Sequence, residues 1–551
     1  MNDDYIMTPP SDATRTPVAA ESYGVQLPIC QRILTTELSG DFSLPDYQPE
    51  IKRLLRIGAS ITPPNGYFSG DSLSMEGLLD YFALYMGNDN RLYCAPLSAD
   101  YRFDLSLAEE RDRERDHGRG VGAASPLDGE LTYACDITAD PITGRVTAPR
   151  RLNIKCRLKA AAKVYGTCPL SANDQSELSP ASIEKLQDTV KTAQMIHAVG
   201  ETLTLQDDMI LSSAEGGDLR VVCAEGQVMI HEATASRDTV ICRGDVLLKL
   251  TLCPADVPEG SEEVPLVSVR KIPFSQAVEI AGITPDCTCC AQGTCAEMSI
   301  EVEEGHLHSE LGLILEVLAQ KEVTSSYTKD LYSTRRETKE SYATYPIERI
   351  LGCFNGNFTL SDSLPLADTG IHPAARVVDV TATAYPEALT PDKAKQRMIL
   401  TGRCRVHLLL SREGEYTSAE LELPFRYERE LPVTCVIPDN SPINFDGGVK
   451  TMACRARMDG ERIGIDAELA VALRTAIPDT ITALSGVTFG EDMTRGRGEY
   501  VICFPSVDDT LWSVAKRYHA PMAALSAAND IPLPERADEA NSLRGSGFLI
   551  V

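Results

Sequence analysis

The densest group of side chains able to bind a metal or to undergo redox chemistry lies near the middle of the chain. Four cysteines and two histidines make up this group: Cys287, Cys289, Cys290, Cys295, His306 and His308. Positions two apart share one face of a strand, so the two histidines are expected to point the same way. Zinc favours sulfur and nitrogen ligands of these types, but the spacing of the cysteines is not a usual zinc spacing. A metal or redox site and a cysteine-rich loop are therefore both open.

Other catalytic patterns are missing from the sequence. It contains no nucleophile elbow, Walker loop, His-Glu-x-x-His or dinucleotide fingerprint. The glycine-rich run from Gly118 to Gly122 follows a charged run and opens no helix, as a phosphate-binding loop must. The eight histidines are scattered, and His407 lies in an alternating strand pattern typical of a strand-face residue. Glycan hydrolysis needs paired carboxylates in a cleft, and the sequence nominates none. We therefore expect no enzyme activity and no cofactor.

Composition limits the partners. A net charge of −28 argues against binding to nucleic acid or to anionic membranes, which needs a basic surface. No apolar run approaches the roughly 20 residues that cross a bilayer. The acidic, polar N-terminus does not resemble a signal peptide, so a cytoplasmic location is expected. In that compartment the 17 cysteines are expected to be free thiols.

The residues that could position a binding site lie in the last part of the chain, which holds the only tryptophan, Trp512. The pattern predicts strand, helix, helix, strand over residues 499–551. Thr510 is a suitable N-cap for the first helix, and Pro521 can open the second. Two apolar faces are predicted to be buried: Leu511, Val514, Ala515 and Tyr518 in the first helix, and Met522, Leu525 and Ala528 in the second. Asn529 is predicted to end the second helix.

Upstream of this unit the sequence repeats itself. A glycine that begins an alternating strand occurs three times, at Gly77, Gly244 and Gly402. A Phe-centred strand follows each glycine, around Phe103, Phe274 and Phe425, and each copy then closes with a hairpin. Each copy also opens alike, at Phe42, Leu203 and Phe358. Period-two alternation with Gly, Pro and Asp between the runs predicts strands.

The predicted fold is therefore mainly β. Three tandem antiparallel repeats, each a β-sandwich or a barrel-like unit, precede a small α+β domain. The predicted boundaries are 21–170, 181–330 and 335–490 for the repeats and 499–551 for the last domain, after a disordered segment at 1–20. Residues 181–197 are predicted to be partly helical. Residues 109–122, with mixed-sign charge and no periodicity, are predicted to be a solvated loop, with a docking element as the alternative.

The last domain resembles the LysM module. Residues 509–515 match that family's Asp-Thr-Leu-Trp-Ser-Ile-Ala pattern closely, while Asp508 replaces a family glycine and Arg544-Gly545 replaces a late Pro-Gly. The resemblance implies a βααβ fold and a ligand groove between two loops. By that analogy the groove residues are Asp509, Thr510, Leu511 and Trp512 on one side, and Asn529, Asp530 and Ile531 on the other. Most such modules bind N-acetylglucosamine polymers and some bind proteins. The alternative is that Trp512 and Leu511 belong only to the core.

Three copies followed by a LysM-like end resemble the SipL-like spore-coat assembly proteins, whose repeated module is called SPOCS. That resemblance implies a non-enzymatic scaffold on the mother-cell side of the forespore surface. It also implies that the LysM-like domain docks to the coat basement ATPase, a SpoIVA-like protein. A chain with several modules and one terminal reader suits multivalent assembly. The alternative is a peptidoglycan- or N-acetylglucosamine-binding protein of the cell wall or spore cortex.

Overall fold

The structure is a computed structural model. It describes residues 25–116, 125–170, 182–210, 218–256, 263–303, 305–392, 394–430, 443–493, 501–506, 508–533, 543 and 547–551. The chain is mainly β, in antiparallel sheets with a few short helices, as the sequence predicts. The disordered segment predicted at 1–20 lies outside the described residues.

The strands form three groups along the chain. The first group is β1 (Val25–Ser43), β2 (Ile51–Ile61), β3 (Asn65–Ser69), β4 (Ser72–Gly87), β5 (Leu92–Ser106), β6 (Leu131–Ala139), β7 (Thr143–Ala148) and β8 (Arg151–Cys168), with helix α1 (Ala108–Asp116) and a 3-10 turn (Pro126–Asp128) between β5 and β6. The second is β9 (Ile183–Val199), β10 (Leu203–Ile210), β11 (Leu219–Ser236), β12 (Thr239–Pro254), β13 (Leu266–Glu279), β14 (Thr288–Glu303) and β15 (His306–Ser333). The third is β16 (Arg336–Pro365), α2 (Leu366–Thr369), β17 (Arg376–Asp392), β18 (Arg397–Arg412), β19 (Glu415–Glu430), β20 (Asn444–Asp459) and β21 (Arg462–Asp492).

The three groups share one topology, and we call them the first, second and third modules. In each module the opening strands pair with the long closing strand, which also pairs with its hairpin partner, as in β16-β21-β20. The middle strands of each module form a second sheet. This sheet is β2-β4-β5 in the first module, where β3 also pairs with β4, β11-β12-β13 in the second, and β17-β18-β19 in the third. The two sheets of each module pack around their own hydrophobic core. Burying one leucine contributes roughly 1.5–3 kcal/mol, so these cores are the main source of stability.

The recurring glycines have a steric cause in all three modules. A Cβ on Gly244 would lie 1.9 Å from the Met229 carbonyl oxygen, and in the other two modules an aromatic ring stands in the way. A Cβ on Gly77 would lie 2.4 Å from the Tyr101 hydroxyl, and a Cβ on Gly402 would lie 2.5 Å from the Phe425 ring. In these two cases the cross-strand partner's ring lies over the glycine. The counterpart of Phe425 in the first module is therefore Tyr101, and the predicted match with Phe103 is wrong by two residues.

The predicted openings are also only partly equivalent. Leu203 pairs with Leu313, and Phe358 pairs with Leu469, at the same distance from the closing hairpin of each module. Phe42 pairs with Leu152, six positions nearer the hairpin. The motif at Phe42 is thus a local likeness in sequence that does not occupy the same place in the sheet.

The modules contact one another in a cycle. The third strand of each middle sheet contacts the first strand of the next module's middle sheet: β5 with β11, β13 with β17, and β19 with β2. Each of these first strands carries a bulge at the same register, at Leu55, Val222 and Val378. The three bulge residues take part in one shared apolar cluster with Met86, Leu409 and Tyr416. The middle sheets therefore surround a common axis, and their bulges point at it.

Two local predictions are wrong. Residues 181–197 are predicted to be partly helical, but 183–197 belong to strand β9, because they pair with the second half of the long strand β15. The start of the predicted loop at 109–122 is helix α1. It is tied down where Glu110 accepts from Arg32 at 2.6 Å and Arg111 pairs with Asp71 at 2.8 Å. Residues 117–124, including the glycine-rich run, lie outside the described residues.

Candidate functional site

The last residues form a small unit of two strands and two helices. Strand β22 (Ile502–Cys503) pairs antiparallel with β23 (Leu549–Ile550), and helices α3 (Leu511–Tyr518) and α4 (Met522–Asn529) lie between them in sequence. Thr510 caps α3 as predicted: its hydroxyl accepts from the Ser513 backbone N–H at 3.1 Å, and the Ser513 hydroxyl accepts from the Thr510 N–H at 2.9 Å. This reciprocal pair fixes the loop that precedes α3.

The core of the unit follows most of the predicted apolar faces. Its buried members are Cys503, Leu511, Val514, Ala515, Met522, Leu525, Leu543 and Leu549. Tyr518 is half-buried against this core, whereas Ala528 is exposed, so the prediction that Ala528 faces inward is wrong. Helix α4 is therefore held by only two buried side chains, Met522 and Leu525.

One face of the unit is docked on the ends of the long strands β15 and β16. The Trp512 indole N–H donates to an oxygen of Asp330 at 2.8 Å, and its ring meets Tyr332 edge-on at 5.0 Å between centroids. Lys516 reaches Asp330 at 2.6 Å and Glu340 at 2.9 Å. The only tryptophan of the chain is thus committed to an intramolecular contact.

Further bonds fix the orientation of the docked unit. The Tyr332 hydroxyl is buried and donates to the Ala520 carbonyl at 2.7 Å. The His519 ring nitrogen Nδ1 lies 2.9 Å from the Ser333 carbonyl oxygen. The first N–H of α4, at Met522, donates to the Glu184 carboxylate at 3.2 Å, which places a negative charge at a helix N-terminus. The contacts come from both the second and the third modules.

Asp330 is the electrostatic centre of this interface. Partial burial would raise the pKa of its carboxyl, but hydrogen bonds from Lys516, Trp512 and Tyr342 outweigh burial and hold that pKa below its usual value. Burial likewise disfavours the charged form of Lys516, but bonds to Asp330 and Glu340 raise its pKa. Both groups are therefore charged over a wide range around neutral pH.

The predicted groove residues before α3 are engaged in structural contacts. The Asp509 carboxylate accepts from the Ser506 N–H and hydroxyl, both at 2.9 Å, and pairs with Arg517. The bond from Arg517, followed by those from Ser506, lowers the pKa of Asp509. Leu511 is 1% exposed and belongs to the core. Together with the capping role of Thr510, these contacts shape the loop from within.

The predicted groove residues after α4 close the unit. The Asn529 amide donates to the Leu525 and Ile550 carbonyls and accepts from the Ile550 N–H, all at 2.7–2.8 Å. Asn529 ends α4 as predicted and ties it to β23. Asp530 is exposed and follows the helix in the left-handed region at φ 56°. Ile531 is half-buried, and its N–H donates to the Ser526 carbonyl at 3.1 Å.

Another surface of the unit is apolar and uncovered. Cys503 and Leu549 face the core, so their neighbours point to the opposite side of the two-stranded sheet. There Ile502, Phe504 and Phe548 are 60%, 76% and 55% exposed. We call these three residues the outer apolar face. Three adjacent large apolar side chains are the usual mark of a contact surface.

The cysteines and histidines near the middle of the chain are not brought together. Cys289, Cys290 and Cys295 lie on β14, where Cys295 packs against Gly226. Cys295 pairs with Leu313 on β15. Leu313 is five residues from His308 along that strand, which at ~3.3 Å per residue separates Cys295 from His308 by about 17 Å. Cys287 lies just before β14, and its sulfur lies 3.5 Å from the Thr284 hydroxyl. His306 stacks on His308, whose ring nitrogen bonds Asp208 at 2.7 Å.

The histidines and cysteines therefore cannot share one metal ion. Across the described part of the chain, no group of three or more His, Cys, Asp or Glu side chains is placed to hold one. No disulfide joins any of the fifteen cysteines whose side chains the structure describes.

A large chamber opens along the axis between the modules. Its volume is about 1610 Å³, and all three middle sheets line it. Charged side chains from different modules form ion pairs in the wall of the chamber: Arg56 with Glu225, and Lys249 with Asp379 at 2.5 Å. No sequence signal pointed to this chamber, because each pair joins residues well over a hundred positions apart.

No known protein family, no curated protein and no solved structure matches this chain. Among the helices of the described residues, none has the length and apolar content needed to cross a membrane.

Proposed function

We propose that the protein is a non-enzymatic scaffold in spore-coat assembly, and that its C-terminal unit docks to a protein of the coat basement layer, a SpoIVA-like ATPase. The proposal joins the resemblance to SipL-like proteins with one observation on the C-terminal unit. Trp512 is used internally, against Asp330 and Tyr332, while Ile502, Phe504 and Phe548 stand exposed.

That division favours a protein over a glycan as the ligand. Recognition of a sugar ring needs an exposed aromatic face beside polar groups, whereas Asp509 and Asn529 are already bonded within the unit. Protein interfaces instead bury large apolar side chains at their centre, and aromatic residues are enriched there. The outer apolar face offers two phenylalanines and an isoleucine on a two-stranded sheet that is held by Asn529 and by the docked helices.

The docked orientation also suits an adaptor. Contacts from Glu184, Asp330, Tyr332 and Glu340 hold the unit on the second and third modules. The outer apolar face therefore keeps a fixed direction relative to the module surfaces, and a second contact made by a module gains effective concentration.

The test compares binding of the full-length protein to the purified basement ATPase and to N-acetylglucosamine oligomers. The expected result is binding to the ATPase that falls at least tenfold in a Phe504→Ser/Phe548→Ser double variant. Ile210→Ser is the matched control, because Ile210 is 72% exposed in the second module and far from the C-terminal unit in sequence. Binding to the oligomers with no binding to the ATPase would overturn the proposal in favour of a peptidoglycan-binding protein.

A further inference from the structure

Two thiols from different modules meet on the chamber wall. Cys94 lies in β5 of the first module and Cys223 in β11 of the second, and their sulfur atoms are 3.2 Å apart. Both residues line the chamber of about 1610 Å³. The pair is therefore close to a covalent bond and can be reached by a small molecule from the chamber.

The surrounding contacts hold the two thiols in register. Arg91 donates to the carbonyls of Pro254 and Ala255 at 3.0 and 2.7 Å, and the Leu92 N–H donates to Glu263 at 2.9 Å. From the opposite side, Arg220 donates to the Leu92 carbonyl at 2.9 Å. These bonds lie two or three residues from each cysteine. The sulfur atoms thus need to close only from 3.2 Å to the ~2.05 Å of a disulfide, within a fixed frame.

The position of Cys223 recurs in the first strand of each middle sheet. Cys223 follows the bulge of β11 at the same register as Arg56 after the bulge of β2 and Asp379 after that of β17. Arg56 and Asp379 make ion pairs between modules from this position. At the contact between β5 and β11, the same position offers a thiol facing a thiol.

We propose that Cys94 and Cys223 form an oxidative cross-linking site that takes low-molecular-weight disulfides as co-reactants and locks the first module to the second. The Cys94 thiolate attacks one sulfur of the reagent, forms a mixed disulfide and expels the first reagent thiolate. The Cys223 thiolate then attacks the Cys94 sulfur, forms the Cys94–Cys223 bond and expels the second reagent thiolate. The two cysteines lose two electrons to the reagent, and their two protons end on the two released thiols.

The rate of this reaction has a predictable pH dependence. The hydrogen bond with Cys223 and burial raise the pKa of Cys94, and the nearby Arg56 opposes them only partly. Only the thiolate is nucleophilic, so the cross-link forms slowly near neutral pH and faster as the pH rises. Cys242, by contrast, is buried in the hydrophobic core of the second module.

The experiment treats the reduced full-length protein with bis(2-hydroxyethyl) disulfide, alkylates the remaining thiols and maps disulfide-linked peptides by mass spectrometry. The expected product is one linked peptide pair containing Cys94 and Cys223, with two fewer free thiols per chain and a higher Tm that dithiothreitol reverses. Cys242→Ala should still form the link, whereas Cys94→Ala and Cys223→Ala should not. A reagent adduct on Cys94 alone, a different pairing, or no loss of thiols in the wild-type protein would each overturn the proposal, whatever the variants do.

Discussion

Replacing Asp330 by asparagine should release the C-terminal unit from the β modules. The carboxylate accepts from Trp512 at 2.8 Å, Lys516 at 2.6 Å and Tyr342 at 2.8 Å. A hydrogen bond to a charged group contributes about 1.5–3 kcal/mol, and a partly exposed ion pair adds about 0–1 kcal/mol. The asparagine oxygen can still accept one neutral bond, so we expect a net loss of about 2–3 kcal/mol in docking. That is a 30- to 150-fold shift toward the undocked state.

Because Trp512 is the only tryptophan, its fluorescence reports on this interface without a label. In the variant, the emission should move to longer wavelength, and acrylamide should quench it more strongly. Asp188→Asn is the matched control: Asp188 accepts from Tyr327 and pairs with Lys329 near the same end of β15 without touching the unit.

The pH dependence adds a second test of Asp330. A carboxyl whose pKa is lowered on docking contributes stability above its free pKa of about 3.9 and loses it as the pH falls. Lys516, whose pKa is raised, contributes below about 10.4 and loses its contribution as the pH rises further. The fluorescence should therefore be constant between about pH 5 and 9. Unchanged emission and quenching in Asp330→Asn, relative to wild type and Asp188→Asn, would refute the reasoning.

Three further substitutions test the module contacts and the fold. Arg474→Met should lower the free energy of unfolding by about 3–5 kcal/mol, since it strips the 1%-exposed guanidinium from the buried Glu348; a denaturant titration that gives less than 1 kcal/mol contradicts this. Asp136→Asn should raise Tm at pH 8 but not at pH 4, because burial and then Glu316 and Asp446, against Lys450, raise the pKa of Asp136 to about 7; an equal shift at both pH values would exclude it. Gly402→Val should cost about 2–4 kcal/mol by clashing with the Tyr385 carbonyl and the Phe425 ring, while Gly464→Val, where the nearest atom to a Cβ is the Arg457 carbonyl oxygen at 3.9 Å, should cost clearly less; similar losses would remove the steric explanation.

Local signals in the sequence predicted helices and strands well. Thr510, with Ser513 three residues later, predicts the start of α3 without any knowledge of the fold, because a cap is satisfied within one turn. Strand periodicity also predicts the mainly β class, because the alternation of apolar and polar residues is read within a single segment. Where local signals were ambiguous they misled: Tyr101 and Phe103 are both aromatic and alternate in the same strand, and only the pairing with Gly77 shows which one is the counterpart of Phe425.

The candidate site depends on contacts that no local pattern encodes. Trp512 and Asp330 are 182 residues apart in sequence, and Arg56 and Glu225 are 169 apart. Each partner by itself is an ordinary polar or aromatic residue within a strand or helix. The sequence alone therefore cannot show whether Trp512 lies in the core or in a groove. Its contacts with Asp330 and Tyr332 are visible only in the folded chain.

The charges on the axis specify which module follows which. Three sets of residues share a register across the middle sheets: Arg56, Cys223 and Asp379; Gly58, Glu225 and Thr381; and Phe82, Lys249 and His407. Arg56 pairs with Glu225 between modules one and two, and Lys249 pairs with Asp379 between modules two and three.

The third contact closes the cycle without adding a charge. Arg56 donates to the Thr381 hydroxyl at 2.8 Å, and burial, followed by the field of Arg56, lowers the pKa of His407 to about 4, so that His407 is neutral beside it. Exchanging the second and third modules would leave Glu225 facing Arg56 from the position of Thr381, but it would separate Lys249 from Asp379. Lys249 would then take the position of His407 beside Arg56, and Asp379 would take the position of Cys223 beside Phe82. An unpaired buried charge costs several kcal/mol, so these side chains favour the observed order of the modules.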